Sequence, residues 1–389
     1  MAQDQLRPIN PDVTIPVGDV ADPREKRAPE PGIALCLSGG GYRAMIFHAG
    51  ALLRLNECGY LPKLARISSV SGGSIAAGVL GLAWSELQFD DHGRATNFKD
   101  AVIGPIQKLA SCTIDIRSIL WGMLGPGTVA DRIARHYRKY LFGKATLQDL
   151  PDVPRFVFNA TSVQSKSLFR FSKSYLWDWR VGKVSNPKVE LAIAVGASSA
   201  FPPVLSPTVL DLRSMVFEPG SGDSLQKAPF TTEAVLTDGG VYDNLGLETA
   251  WKRYDTILVS DGGGMYGAEE SPSRGWFNHT RRVFDLVDNQ VRSLRKRQLI
   301  TSFQNGTRKG TYWSIWSDIA NYATALNLQA PFQKTAVLAG TPTRLKSLGA
   351  TAQQRLMNWG YAISDAALRK HVAPELPAST GFPFPSDIG

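Results

Sequence analysis

Short apolar runs that end at glycine-rich turns form the most regular pattern in the chain. Residues 33–37 are apolar and stop at a serine and three glycines, after which apolar residues recur with helical spacing up to residue 58. Residues 65–70 and the Ser-Gly-Gly that follows repeat this arrangement, again before an apolar helical stretch. Strand, helix, strand and helix within about fifty residues predict a βαβα unit and therefore a parallel sheet.

The rest of the chain divides into segments with different patterns. Residues 1–31 contain six prolines and few large apolar side chains, which predicts a flexible arm that buries too little to fold. Residues 32–265 predict an α/β core with a helical insertion at 85–150, and residues 266–389 predict a helical C-terminal part packed on that core. Further buried strands are predicted at residues 155–158, 191–195, 234–236 and 256–259.

The charge is the least ordinary feature of the composition. With 43% hydrophobic and 20% charged residues the chain is neither collagen-like nor wholly disordered. Its 43 basic and 34 acidic residues give a net charge of +9, which favours nucleic acid or an acidic membrane surface as a partner. Residues 281–309 hold eight basic and two acidic residues, and residues 131–144 hold five and one, so two helical segments carry the excess.

The cysteines and the apolar runs bear on where the protein works. Cys36, Cys58 and Cys112 are an odd number in apolar surroundings, which predicts buried free thiols and a reducing compartment. No apolar run reaches the length of about 18 residues that a membrane-spanning helix needs. The first residues lack the pattern of a secretory signal, so we expect a cytoplasmic protein.

The first glycine turn, Ser-Gly-Gly-Gly-Tyr-Arg at residues 38–43, lies between a predicted strand and a predicted helix. Glycines let another molecule approach the backbone, and the N–H groups at a helix start favour an anion or a developing oxyanion. A dinucleotide-binding turn is the main rival, but Ala44 stands in place of its third glycine and Glu57 comes late in the helix. A tight turn without a ligand also fits.

The second turn, Ser69-Val70-Ser71-Gly72-Gly73, resembles a nucleophile elbow. In such an elbow a serine on a sharp strand-to-helix turn stands exposed above the edge of the sheet. The glycines supply the small volume that the turn needs, and Ser69 replaces the usual first glycine. The alternative is a serine that only caps a buried helix.

A third turn offers a partner for such a serine. Asp238 follows a short apolar run and precedes Gly239 and Gly240. A serine hydroxyl needs a group that takes its proton, and burial raises the pKa of a carboxylate toward neutrality. Asp261 also ends a predicted strand and precedes glycines, so the local pattern does not choose between the two aspartates.

Together the three turns resemble the patatin-like phospholipases of the bacterial type. The resemblance rests on residues 39–43, on the serine elbow 28 residues after Arg43, on Asp238-Gly239-Gly240 and on Ala-Ser-Ser-Ala-Phe-Pro-Pro at residues 197–203. It covers residues 32–265. It implies a three-layer α/β/α sandwich with a mainly parallel sheet and helical additions, and an acyl hydrolase that uses a Ser–Asp dyad without a catalytic histidine.

The resemblance also implies roles for single residues. Ser71 is the nucleophile, and Asp238 is the base, preferred over Asp261 because Val241 and Asn244 continue the family pattern. Arg43 is expected to steady the glycine turn or to meet a lipid phosphate. The oxyanion hole is assigned to Gly39, Gly40 and Gly41, and the supporting residues are Arg43, Gly72, Gly73, Gly239 and Gly240.

The implied substrate is a phospholipid or another fatty-acyl ester, with no cofactor and no metal. The basic segments then predict contact with an anionic membrane surface rather than with nucleic acid, and the apolar residues 119–124 are a candidate membrane-contacting cap or an internal loop. Two alternatives to this function stay open. One is a Ser-His-Asp esterase, although none of the five histidines follows a strand within a glycine-bounded loop. These histidines are His48, His92, His136, His279 and His371. The other alternative is a regulated lipid-binding effector with the same fold.

Overall fold

One sheet with both parallel and antiparallel strands organises the molecule. A computed structural model describes residues 29–114, 129–202, 205–265, 267–324 and 326–389. The strands are β1 (Glu30–Leu37), β2 (Leu64–Ser69), β3 (Arg155–Ser162), β4 (Ser167–Phe171), β5 (Tyr175–Asp178), β6 (Gly182–Ser185), β7 (Thr208–Asp211), β8 (Glu233–Asp238), β9 (Tyr254–Asp261) and β10 (Lys309–Ser314).

The strand order explains why the predicted turns meet. Strands β10, β9, β1, β2 and β3 are parallel neighbours in that order. On the far side of β3 the antiparallel strands β4, β5 and β6 continue the sheet, and β8 also pairs antiparallel with β3 and with β7. The carboxyl ends of neighbouring parallel strands lie at the same edge, where ligands of open α/β sheets bind.

Helices cover both faces of the sheet. They are α1 (Gly41–Glu57), α2 (Gly72–Ala83), α3 (Gly104–Ala110), α4 (Val129–Tyr137), α5 (Leu191–Ser198), α6 (Gly240–Asp243), α7 (Glu248–Trp251), α8 (Trp276–Gln304), α9 (Phe332–Ala339) and α10 (Ala350–His371). Within the described residues, no helix has both the length and the apolar character that crossing a membrane requires.

The central strand β1 shows why three layers form. Its side chains point alternately to opposite faces, as the period of two requires. Leu35 and Leu37 are buried in the larger apolar cluster, and Ala34 and Cys36 are buried in a separate cluster on the other face. Both faces are therefore covered, which confirms the predicted α/β/α fold and explains why β1 reads as a continuous apolar run.

Helices α1 and α10 approach each other unusually closely. A Cβ added to Gly50 of α1 would overlap the carbonyl of Met357, and one added to Gly360 of α10 would overlap the carbonyl of Phe47. Arg54 of α1 forms a buried ion pair with Asp365 of α10 at 2.6 Å. Helix α10 thus shields the side of α1 that faces away from the sheet, and every residue of α1 except its last, Glu57, is buried.

One predicted strand is wrong. Residues 191–195 belong to helix α5, which is buried along almost its whole length. A short apolar run bounded by turns does not distinguish a strand from a buried helix by its periodicity. The small residues Ala192, Ala194 and Gly196 allow the helix to lie close to its neighbours.

Two predicted segment boundaries also need correction. Strand β1 begins at Glu30, so the last two residues assigned to the arm belong to the sheet. The C-terminal part is not wholly helical, because β10 pairs with β9 as a parallel edge strand. Residues 1–28 of the arm and the candidate cap at 119–124 lie outside the described residues.

Candidate active site

The candidate nucleophile has the backbone of a strained elbow. Ser71 joins β2 to α2 with φ 50° and ψ −119°, a region that residues with a side chain rarely adopt. Its N–H donates to the carbonyl oxygen and to Oγ of Ser198, both at 3.1 Å. These contacts hold the turn in the strained conformation, which is frequent at functional sites.

The two glycines after Ser71 are required by close packing against the first turn. A Cβ on Gly72 would overlap the carbonyl of Gly41, and one on Gly73 would overlap the carbonyl of Leu37. The N–H of Gly73 donates to the carbonyl of Ser38 at 3.1 Å. The sequence therefore folds the serine elbow directly onto the glycine turn, because β1 and β2 are parallel neighbours.

The backbone donors of the glycine turn are used unequally. The N–H of Gly39 donates to the carbonyl of Asn244 at 3.1 Å. Gly39 was predicted to be an oxyanion donor, but its N–H is already used in this hydrogen bond. Gly40 and Gly41 line the cavity that also contains Ser71, and their N–H groups have no hydrogen-bond acceptor within the described residues. Both lie at the start of α1, where unpaired N–H groups favour negative charge.

Gly41 gives a direct test of this turn. Its φ is +61°, and a Cβ would lie 2.9 Å from the carbonyl oxygen of Arg344. We expect Gly41→Ala to shift the turn, to lower kcat/KM for an acyl ester by about a hundredfold or more, and to lower the free energy of unfolding. Steady-state kinetics and urea unfolding measure the two effects.

Gly220 provides the matched control for this variant. Its φ is +67°, but no atom lies within 4 Å of an added Cβ. We therefore expect Gly220→Ala to lower the free energy of unfolding by only about 1 kcal/mol, the backbone cost of a positive φ, and to leave the activity unchanged. Equal kinetics in the two variants would show that the geometry of the first turn does not matter to the reaction.

The candidate base is a buried carboxyl next to the serine. Asp238 ends β8, and its Oδ1 accepts the N–H of Gly240 at 2.7 Å. Burial raises the pKa of Asp238 to about 7, although the hydrogen bond from Gly240 and the hydroxyl of Ser71 both lower it. The other carboxyl oxygen, Oδ2, is buried without a hydrogen-bond partner among the described residues.

Asp261, the rival aspartate, is in a different electrostatic state. Its carboxylate is paired with Arg292 at 3.1 Å and also accepts hydrogen bonds from Ser38, Gly263 and Tyr312. Burial alone would raise the pKa of Asp261, but Arg292 and these donors more than offset it and hold the pKa well below its usual range. A carboxylate so well satisfied is a poor base, so the geometry favours Asp238.

The histidines do not assemble a triad around Ser71. No histidine is among the described residues that line the cavity. His48 is buried beneath the first turn, with its ring nitrogens 2.9 Å from the carbonyl of Ser38 and 2.8 Å from Oγ of Ser260. Burial lowers the pKa of His48 to about 4, so it is a neutral structural group.

Arg43 lines the cavity and connects three segments of the chain. Its guanidinium donates to the carbonyl of Gly262 at 3.1 Å and to the carbonyl of Thr341 at 2.6 Å, and the side chain is buried. The first turn, the loop after β9 and the loop after α9 are thereby tied together. The role of Arg43, as support for the glycine turn or as a partner of a lipid phosphate, stays a prediction.

The cavity has a volume of about 620 Å³, within the range of small-molecule sites. Ser71, Asp238, Gly40 and Gly41 are among the residues that line it. Large apolar side chains line much of the rest, and two of them, Trp316 and Leu345, come from the C-terminal part. The apolar lining residues are Phe201, Pro202, Leu205, Met265, Trp316 and Leu345.

Two residues of the site were not assigned a role from the sequence. Oγ of Ser198 accepts the Ser71 N–H and donates to the carbonyl of Asn159 at 2.6 Å, so it positions the elbow. Asn244 lies between the first turn and the Asp238 turn, and an added Cβ on Gly240 would lie 2.8 Å from its Oδ1. Both residues lie in segments that resemble the family, and this resemblance is the sequence evidence that could have identified them.

A comparison with family models decides the family. The model of the patatin-like phospholipases matches residues 35–251, more than half of the chain. The chain belongs to the patatin-like phospholipase family. The match begins within β1 at residue 35 and contains both glycine turns, Ser71 and Asp238, while α8 to α10 lie beyond it.

Three solved structures show what this chain is similar to in fold. Human GIVD cytosolic phospholipase A2 is 14% identical with a TM-score of 0.48, and the match covers 85% of this chain and 60% of that one. VipD from Legionella pneumophila is 16% identical with a TM-score of 0.36, covering 88% and 67%. The type III effector protein ExoU is 13% identical with a TM-score of 0.34, covering 89% and 54%. The chain thus spans less than two thirds of the human protein, and no curated protein matches its sequence.

Proposed function

We propose that the protein is a lipid acyl hydrolase, of the phospholipase A or lysophospholipase type, that acts through a Ser71–Asp238 dyad. The observation that carries the proposal is a serine on a strained elbow beside a buried carboxyl whose pKa is about 7. A base with that pKa is half deprotonated near neutral pH and becomes a strong enough acid once protonated. Two backbone donors, Gly40 and Gly41, line the same cavity.

In the proposed first half-reaction, Oγ of Ser71 attacks the ester carbonyl carbon while its proton passes to the Asp238 carboxylate. The carbonyl oxygen becomes an oxyanion, which the N–H groups of Gly40 and Gly41 stabilise at the positive end of α1. The tetrahedral intermediate then collapses. The bond between the carbonyl carbon and the leaving oxygen breaks, that oxygen takes the proton from Asp238, and an acyl-Ser71 ester remains.

The second half-reaction reverses these roles with water. Asp238, again a carboxylate, takes a proton from water as the water oxygen attacks the acyl carbon. The same two backbone donors hold the oxyanion, and collapse returns the proton to Oγ of Ser71 and releases the fatty acid. One carboxyl thus serves both half-reactions, and its burial keeps the pKa close to the working pH in each.

The two alternatives have less support. A Ser-His-Asp esterase needs a histidine near Ser71, and none lines the described part of the cavity. A lipid-binding effector without activity would have no use for the strained elbow or for a buried carboxyl next to a serine, both of which cost stability. The proposal includes peripheral contact of the protein with a lipid surface, because the proposed substrate is a lipid that lies in such a surface.

Hydrolysis of phosphatidylcholine vesicles tests the function. We expect the protein to release fatty acid from vesicles and from a monomeric fatty-acyl ester of 4-nitrophenol, with both activities lost in Ser71→Ala. Release of fatty acid from neither substrate by the wild-type protein would contradict the proposed function. Analysis of the lyso-lipid product identifies which acyl position is cleaved.

A further inference from the structure

The long helix α8 turns its charged side toward the cavity. Asp285, Asp288 and Arg292 line the cavity wall, at spacings of three and four residues that put them on one helix face. Arg292 is buried there in its ion pair with Asp261. This face belongs to the wall beside the proposed nucleophile.

The other side of α8 carries exposed apolar side chains. Trp276 is 81% exposed, Val283 47%, Val287 53% and Leu294 58%. Their spacings of seven, four and seven residues place them on one face, opposite the residues that line the cavity. We call Trp276, Val283, Val287 and Leu294 the outer face of α8.

This polarity is the reverse of an ordinary surface helix. A helix on a globular protein normally turns its apolar stripe inward and its charges to water. Here carboxylates face the cavity, and large apolar side chains face outward. Four large exposed residues in one stripe form the kind of patch that marks an interaction surface rather than single exposed residues.

Two further exposed apolar residues line the cavity itself. Met265 lines the cavity and is 62% exposed. Phe201, which also lines the cavity and is partly exposed, packs its ring 6.2 Å from the ring of Phe284 on α8. Because α8 is part of the cavity wall, a partner on its outer face would lie about one helix diameter from the cavity.

The basic charge of this helix contributes less than its sequence implies. Arg292 pairs with Asp261, and Arg295 pairs with Glu248 at 2.9 Å, so both guanidinium groups are turned inward. Arg297, one turn after Leu294 on the outer face, is exposed. At the other end of the stripe, Phe277 is exposed next to Trp276. The apolar stripe therefore has two aromatic side chains at one end and a basic side chain at the other, and these residue types prefer the boundary between lipid and water.

We propose that the outer face of α8 docks on the surface of a lipid bilayer and brings the cavity mouth to the substrate. The proposal rests on the proposed lipid acyl hydrolase function. The bilayer is the favoured occupant because α8 forms part of the cavity wall and its exposed apolar stripe has interfacial residues at both ends. Because the exposed residues are mainly apolar, anionic lipid should strengthen binding only modestly.

Binding to vesicles by proteins that cannot hydrolyse them tests docking apart from activity. Val287→Glu with Leu294→Glu is introduced into Ser71→Ala and compared with Ser71→Ala alone. The control adds Val163→Glu and Val216→Glu, two exposed valines far in sequence from α8, so that both variants gain the same charge. Co-sedimentation uses vesicles of phosphatidylcholine alone and of phosphatidylcholine and phosphatidylglycerol in equal parts.

We expect the outer-face variant to bind both kinds of vesicle about tenfold more weakly than its parent, and the control to stay within about twofold. Equal binding by the outer-face variant and the control would overturn the proposal. So would an absence of vesicle binding by the parent, which is expected if another segment of the chain or a second copy covers the stripe. A parent that sediments as a dimer and becomes a monomer in the outer-face variant would also overturn it.

The same substitutions in the active protein separate docking from catalysis. We expect hydrolysis of vesicle phosphatidylcholine to fall about tenfold, and hydrolysis of the monomeric 4-nitrophenyl ester to stay within about twofold. Loss of both activities, or of neither, would overturn the docking role. Failure of the proposed function appears differently, as a wild-type protein that hydrolyses neither substrate while vesicle binding remains measurable.

Discussion

Replacing Ser71 by alanine is expected to lower kcat/KM for a fatty-acyl ester by about three orders of magnitude or more. The change removes the proposed nucleophilic oxygen. It leaves the backbone as it is, because the Ser71 side chain caps no helix N–H and alanine has the same steric preferences at φ 50°. The free energy of unfolding should therefore stay close to that of the wild type, so the loss is chemical.

Ser199→Ala is the matched control for that variant. Ser199 also lines the cavity, and its Oγ donates to the carbonyl of Val195 at 2.6 Å within helix α5. We expect this variant to keep most of its kcat/KM. Wild-type kinetics in Ser71→Ala, or an equal loss in both variants, would show that the elbow serine is not the nucleophile.

Asp238→Asn is expected to lower kcat/KM by a similar factor, because an amide cannot take the proton of Ser71. In the wild-type protein kcat/KM should rise with pH through an apparent pKa of about 7, since only the carboxylate is the base. The pH dependence of kcat/KM and the variant's residual activity measure these effects. A flat profile between pH 5 and pH 9 would contradict Asp238 as the base.

The same substitution should make the protein more stable at alkaline pH. The folded-state pKa of Asp238 lies above that of the unfolded chain, so the folded protein holds the extra proton between about pH 4 and pH 7. Stability is therefore lost as the pH rises through the folded pKa. Asp238→Asn avoids that loss, so its unfolding free energy should exceed that of the wild type at pH 8 by up to a few kcal/mol.

Asp261→Asn should behave in the opposite way. The folded-state pKa of Asp261 is lowered, so its carboxylate stabilises the protein above the unfolded pKa and this stability is lost as the pH falls. Removing the charge leaves Arg292 buried without its partner, so we expect a less stable protein at neutral pH. Urea unfolding of both variants at pH 5 and pH 8 measures whether each substitution raises or lowers the free energy of unfolding relative to the wild type.

The sequence predicts the parts of the site that chemistry or close packing restricts to one residue type. Gly72 and Gly73 are such positions, because any side chain there would overlap the first turn. The parallel βαβα pattern then brings the two turns together, since β1 and β2 end at the same edge. The local pattern did not choose between Asp238 and Asp261, and only the family resemblance preferred Asp238. The electrostatic reason appears in the structure, because it depends on Arg292, a residue 31 positions from Asp261 along the chain.

Other features depend on tertiary contacts that no local pattern records. Helix α5 and a buried strand have the same uniformly apolar sequence, so burial alone does not separate them. The availability of the Gly39 N–H depends on the carbonyl of Asn244, two hundred residues away. The orientation of α8 likewise depends on tertiary contacts, because helical periodicity does not say which face the rest of the protein covers, and the structure leaves Val283, Val287 and Leu294 exposed.

The close crossing of α1 and α10 has a consequence for how the protein evolves. The segment that the family shares ends before α10, yet the helix that carries the first glycine turn is covered by α10 through the contacts of Gly50 and Gly360. A protein that ended at residue 251 would keep Ser71 and Asp238 but would expose to water the side of α1 that α10 covers. Exchange of the matched segment between proteins should therefore succeed only when the recipient supplies a helix that covers α1 as closely as α10 does.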